Sequence, residues 1–242
     1  GDYATGGTYG NGGGGGRIAV HASNYSFTGR ISAYGGNNSY YGAPGTIYIN
    51  LTSQKFGDLI IDNNNNSAGY LGAEIGAELP QGFHTFDNIT IKNKGVLSIK
   101  NKSVDLNLTY PNLVTDTPDA TIVNKGNLSM NTNYTIINWT LSLNNGSIIN
   151  GLQNLTIGSG GILTHAGHVY PKIQYQRYVI DLSLLQFTVM PGGLVNLTGK
   201  GFTYGNTGLS GTGYGGGPGN GTNGGTYVLP GGAGHGSIGS GN

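Results

Sequence analysis

The sequence contains no cysteine. Disulfide bonds therefore contribute nothing to its stability, although an oxidising compartment stays open to it. Charge is also scarce. Charged residues make up 9% of the chain, where roughly a quarter is usual, and the net charge is +1. A nucleic-acid partner would call for a basic stripe, and the Lys and Arg residues here are scattered. No apolar run approaches the ~18 residues that a membrane-spanning helix needs. The longest candidate, Tyr178 to Met190, is broken by polar residues. Helix signals are almost missing. The one weak segment, Leu71 to Leu79, carries Gly72 and Gly76, each costing ~1 kcal/mol in a helix interior. There is no initiator Met, and the chain opens inside a glycine-rich stretch, which reads as a processed or excised piece of something longer.

What is present is glycine, asparagine and tyrosine. Gly accounts for 48 of 242 residues, Tyr for 16, and Asn for 28. Hydrophobic residues still reach 36%, enough for a core, and the low charge argues against a disordered polyelectrolyte. Composition divides the chain into a glycine-rich β segment at 1–55, a strand-rich core at 56–200 and a glycine-rich segment at 201–242.

The middle zone holds an internal repeat. Thr90 to Ser98, Thr121 to Ser129, Thr156 to Thr164 and Thr188 to Asn196 share one phrase: Thr, Ile or Val, three residues, Gly, one residue, Leu or Val, then a small polar residue. Leu141 to Ile149 fits with a slip of one. Each copy reads as strand, glycine turn, strand, with glycine supplying positive φ at the corner. Alternation at Ile89, Ile91 and at Val104, Leu106, Leu108 has the period of two that puts apolar side chains on one face. Copies about 31–35 residues apart point to a stacked coil, in which each turn buries its apolar face only against its neighbours. The expectation is an all-β parallel β-solenoid, or β-helix, with glycine-rich terminal segments. A β-sandwich built from similar short strands is the alternative.

The ends carry Gly12 to Gly16 leading into Arg17-Ile18-Ala19-Val20, then Ala43-Pro44-Gly45 before Thr46-Ile47-Tyr48-Ile49, and finally Gly231-Gly232-Ala233-Gly234-His235-Gly236. With the Leu59 to Asn63 segment, these phrases resemble the glycine-rich repeats of very large bacterial and archaeal cell-surface proteins of the adhesin-like kind. The resemblance implies a parallel β-solenoid at a cell surface and no catalytic residues. The order differs from that family, because the phrase that should come first sits at the C-terminus. The chain then reads as an offset repeat that completes its fold with a further copy of itself, as a head-to-tail homopolymer or a tandem repeat. Glycine runs also pack as extended three-fold helices, which sequence does not separate from strands.

Asn-X-Ser/Thr occurs at Asn24, Asn37, Asn50, Asn65, Asn88, Asn101, Asn107, Asn127, Asn133, Asn138, Asn145, Asn154, Asn196 and Asn220. Composition alone would give about four or five such sequons. This density reads as N-linked glycans that supply the solubility charge does not, with Asn107, Asn127, Asn138 and Asn154 projecting from strands. Dense sequons without cysteine suit an archaeal surface.

Candidate chemistry is thin. Glu74 and Glu78, Asp116 and Asp119, and Asp58 and Asp62 are the nearest acid pairs, and none forms the cluster a polysaccharide-active β-helix enzyme needs. Asp116 to Asp119, and Asp62 with the four asparagines after it, could touch Ca²⁺, but turns explain both. His165 and His168 lack further metal ligands nearby and read as surface or turn residues, while His235 sits in a glycine loop. Gly199-Lys200-Gly201 lacks the hydroxyl of a phosphate loop. The expected protein is not an enzyme and has no cofactor, metal, nucleic-acid partner or membrane insertion. It is a structural subunit of an extracellular filament, sheath or surface layer. The alternative is an adhesin or glycan-binding module using Tyr34, Tyr40, Tyr41 and Tyr48.

Overall fold

The computed structural model describes residues 12–36, 42–67, 76–144, 146–166, 180–198 and 200. Among these residues the protein is all-β, without a helix. Two strands come first, β1 (Arg17–Ala22) and β2 (Thr46–Leu51). The rest fall into successive passes. The first is β3 (Asp58–Asp62), β4 (Ala77–Glu78) and β5 (Gly82–His84). The second is β6 (Asn88–Lys92), β7 (Val96–Ile99) and β8 (Val104–Asn107). The third is β9 (Asn112–Thr115), β10 (Thr121–Asn124) and β11 (Asn127–Ser129). The fourth is β12 (Asn133–Ile136), β13 (Thr140–Leu143) and β14 (Ile148–Asn150). Then come β15 (Asn154–Ile157) with β16 (Ile162–Thr164), and last β17 (Gln186–Val189) with β18 (Leu194–Val195).

Corresponding strands of successive passes lie side by side. The second strands form one sheet, β18-β16-β13-β10-β7-β4, and the third strands another, β14-β11-β8-β5. The first strands are divided between β1-β2-β3-β6-β9 and β12-β15-β17. Every pairing among the described strands is parallel except β2 with β3. Parallel neighbours from consecutive passes place like side chains in columns. Ala77, Leu97, Ile122, Leu141, Leu163 and Val195 form one such column. Its Leu97, Ile122 and Leu141 are fully buried, and each apolar side chain withdrawn from water stabilises by about 1.5–3 kcal/mol. Within β6 the alternation of half-buried Asn88, Thr90 and Lys92 with buried Ile89 and Ile91 sets which face is core.

Two readings of the repeat change. The phrase does not mark one place on the pass. Its copies at Thr90, Thr156 and Thr188 join the first strand to the second, whereas the copy at Thr121 joins the second to the third. Passes begin at Asn88, Asn112, Asn133, Asn154 and Gln186, so the interval between copies is not the length of a pass. Glycine in the phrase serves a second purpose besides the one expected. Positive φ is found at Gly146, Gly160 and Gly192 in three copies, and at Asn93 and Lys94 in the copy at Thr90. Gly95, Gly126, Gly161 and Gly193 are glycines because a Cβ would meet a carbonyl oxygen of the preceding pass: Ile61 at 2.7 Å, Asn101 at 2.2 Å, Ile136 at 2.1 Å and Ile157 at 2.3 Å.

The glycine-rich start also resolves. Residues 12–16, 33–36 and 42–45 run side by side outside any ladder. The Gly15 amide donates to the Ala43 oxygen (2.8 Å), Gly36 to Gly13 (2.7 Å) and Gly45 to Ala33 (2.6 Å). Three segments that each bond the other two cannot share one flat sheet, so they form a triangular bundle. A Cβ at Gly45 would lie 1.8 Å from the Gly16 oxygen and one at Gly15 would lie 1.9 Å from the Ala33 oxygen, which excludes side chains between them. The bundle is anchored on the first pass, where the Gly35 amide donates to Oδ1 of the fully buried Asn63 at 3.1 Å.

Two glycine substitutions separate close approach from mere composition. Gly161→Ala must displace backbone and is expected to cost about 1–3 kcal/mol or more in denaturant unfolding. At Gly16 an added Cβ meets nothing within 4 Å, so Gly16→Ala is expected to stay within about 0.5 kcal/mol of wild type.

Candidate functional site

The sequons follow from the strand period. In Asn-X-Thr on a strand, Asn and Thr point outward and the middle residue points into the core. Asn88-Ile89-Thr90, Asn127-Leu128-Ser129, Asn133-Tyr134-Thr135 and Asn154-Leu155-Thr156 all lie this way, with Ile89, Leu128 and Leu155 buried. Tyr134 is the polar exception among the middle residues. Its ring meets Trp139 edge-on at 6.4 Å between centroids, and burial pushes its hydroxyl pKa up to about 12.

Other sequons sit at corners. Oδ1 of Asn101 accepts the Ser103 amide at 2.9 Å, Oδ1 of Asn107 accepts the Thr109 amide at 2.8 Å, and Oδ1 of Asn196 accepts the Thr198 amide at 3.1 Å. Asn and the hydroxyl residue of the sequon thus close one Asx turn. Asn138 was expected on a strand and is not. It lies between β12 and β13 with φ of 56°, and Asn65 has φ of 62°. Asparagine tolerates this left-handed region better than most residues. Asn24 and Asn50 lie in the glycine-rich layer, exposed and half-buried respectively. Asn37, Asn145 and Asn220 lie outside the described residues. Each remaining sequon asparagine is exposed or half-buried.

The buried asparagines are a different set, Asn63, Asn124 and Asn144, and none begins a sequon. Asn124 occupies an inward column between Ile99 and Leu143. Its Oδ1 accepts the Gly126 amide at 3.0 Å and its Nδ2 donates to the Ile148 oxygen at 3.2 Å, which satisfies a corner that no strand can. Sequence reading did not separate these from the outward asparagines. The missing third-position hydroxyl is the signal that could have done so.

The carboxylates are occupied one by one. Asp58 accepts Nδ2 of Asn88 at 2.6 Å, and Glu78 meets Lys100 at 2.9 Å. Asp62 and Asp116, read separately in the sequence, converge on Asn93. Asp62 accepts its Nδ2 at 3.0 Å and Asp116 its amide at 2.8 Å, so both serve a stacked turn. Asp87, not singled out from sequence, accepts the Phe56 and Gly57 amides at 2.9 and 2.8 Å. Asp119 is exposed in the turn before β10. His165, expected at the surface or in a turn, follows β16 and is buried, its Nδ1 2.6 Å from the Ala166 oxygen. Tyr48, expected exposed, is half-buried, its hydroxyl donating to the Phe56 oxygen at 2.7 Å. Tyr34 stays exposed beneath Arg30. Glu74, Tyr40, Tyr41, His168, His235, Gly199 and Gly201 lie outside the described residues. Lys200 is half-buried.

One end of the stack differs from its middle. Phe187, Val189 and Val195 are in register with Leu155, Ile157 and Leu163. The latter three are at most 1% exposed, whereas Phe187, Val189 and Val195 are 48%, 46% and 37% exposed. The core columns therefore continue to the last described pass, and no described strand lies beyond it. At the other end, a cavity of about 410 Å³ lies between β1–β2 and the first pass, lined in part by Tyr48, Phe56, Leu79, Phe83 and Phe86.

Tyr134 gives a pH signature. Its folded pKa is raised above the usual tyrosine value, so the folded state holds the proton more tightly than the unfolded chain. The stability this confers is complete below about pH 10 and is lost as pH rises toward about 12. Unfolding free energy measured across that window is expected to fall, and Tyr134→Phe is expected to flatten part of the fall.

No family model, no curated protein and no solved structure matches the chain, and the reading of its function rests on the geometry above.

Proposed function

We propose that the chain is a β-solenoid that serves as a structural unit of an extracellular filament, sheath or surface layer. It carries N-linked glycans on its outward asparagines and joins head to tail with further copies of itself, as separate chains or in tandem. Support for the solenoid reading comes from the parallel pairing of corresponding strands and from columns that run through successive passes. A sandwich of hairpins would pair neighbouring strands antiparallel.

The observation that carries this reading is the last described pass, which no described strand covers. Phe187, Val189 and Val195 present the inner face of a stack that is built to receive another pass. Exposed apolar side chains in this arrangement mark an interaction surface. A contact between the last pass of one copy and another part of the next does not close on itself, so it propagates as a filament. Outward sequons on every pass from the second to the fifth supply hydration along the sides, where charge is scarce.

A glycan-binding module is the second reading, favoured by the aromatic cavity of about 410 Å³ that includes Tyr48. The two readings part under the electron microscope. Native material is expected to form regular filaments or sheets, and a variant carrying Phe187→Asp and Val189→Asp is expected to sediment as a folded monomer. Dispersed particles in the wild type that bind a glycan array would favour the second reading and defeat the first.

A further inference from the structure

Resting on the glycan reading, the register of two sequons leads to a narrower conclusion. Asn133-Tyr134-Thr135 and Asn154-Leu155-Thr156 are stacked residue on residue, Asn133 against Asn154 and Thr135 against Thr156. Neighbouring strands lie roughly 4.8 Å apart. A hexose ring with its hydroxyls is wider than that spacing. The two side chains also bond each other, Nδ2 of Asn154 donating to Oδ1 of Asn133 at 2.6 Å. Asn88 occupies the corresponding first position of an earlier pass, but its register neighbours Asp58 and Asn112 do not begin sequons. It is the solitary counterpart of the stacked pair.

We propose that Asn133 and Asn154 form a single glycan acceptor, occupied once per molecule and preferentially at Asn133. Attachment replaces one Nδ2–H bond by a bond from Nδ2 to the anomeric carbon. The sugar comes from a lipid-phosphate-linked donor, whose phosphate departs with the electron pair of the broken C–O bond while the amide proton passes to the medium. Asn133 is favoured on two grounds. It is exposed, and β12 is the outer strand of its sheet. Asn154 is half-buried, has Gln186 on its other side in register, and commits its Nδ2 to Asn133. A glycan on Asn133 leaves its Oδ1 free to keep accepting that bond. A second glycan on Asn154 would have to share the same interval.

The test uses the full chain expressed in a host that attaches N-glycans. No Lys or Arg lies between Lys125 and Lys172, so one tryptic peptide, residues 126–172, holds both sites. Electron-transfer fragmentation of that peptide is expected to find a glycan at Asn133 or at Asn154 but never at both, with Asn133 predominant and Asn88 modified independently. Thr135→Ala removes the first sequon while leaving Asn133 in the ladder, and is expected to raise Asn154 occupancy severalfold. Thr156→Ala is expected to leave Asn133 occupancy unchanged. Peptides modified at both positions, or Asn154 occupancy indifferent to Thr135→Ala, would overturn the inference while the glycan reading survives. Asn88, Asn133 and Asn154 all bare would overturn both.

Discussion

The approach of one backbone to the next is the constraint on which the rest of this protein depends. Successive passes share hydrogen bonds in parallel ladders, so they must lie within strand distance at the corners as well as along the faces. Corners are where side chains would obstruct this. Gly95, Gly126, Gly161 and Gly193 each let a carbonyl of the preceding pass come where a Cβ would stand. In the first layer glycine meets the same constraint where residues 12–16, 33–36 and 42–45 pack backbone on backbone in a triangle. Glycine abundance and repeat phrase are thus two expressions of one steric demand.

Once backbone spacing is set, asparagine fills two separate roles. Inside, Asn63 and Asn124 satisfy backbone groups at bends where the ladder cannot, and they do so with both ends of the amide. Leaving such groups unpaired would cost about 1–3 kcal/mol each. Outside, asparagine alternates with core residues so that a sequon straddles the sheet, its middle residue buried and its flanks in water. The register that builds the core therefore also spaces the candidate sugars. Columns that stack leucine on leucine inside stack asparagine on asparagine outside.

The same register leaves the last pass unfinished. In the middle of the stack Ile122 and Leu141 have a paired strand on either side and are wholly withdrawn from water. Among the described strands, that of Phe187 and Val189 has a neighbour on one side only. In the proposed solenoid each pass would offer the next a surface like the one it received. The proposed assembly follows from that translational character. The individual carboxylates fit it too, since Asp58, Asp62, Asp87 and Asp116 each brace a turn or a strand start.

Much was decided by the sequence alone. The period of two at Ile89 and Ile91 sets a strand and its inward face, and the want of helix signals sets the all-β class, because both depend on local stereochemistry. The sequons are legible letter by letter. Tertiary structure decided what depends on contacts distant in sequence. It placed the phrase at two different corners and set Gly95, Gly126, Gly161 and Gly193 at close approaches, since the obstructing carbonyl belongs to another pass. It sent Asn124 inward and Asn127 outward, although the two share one phrase and a common composition, because burial is set by the column a residue joins. It brought Asn133 onto Asn154, a pairing that only the register between passes could make.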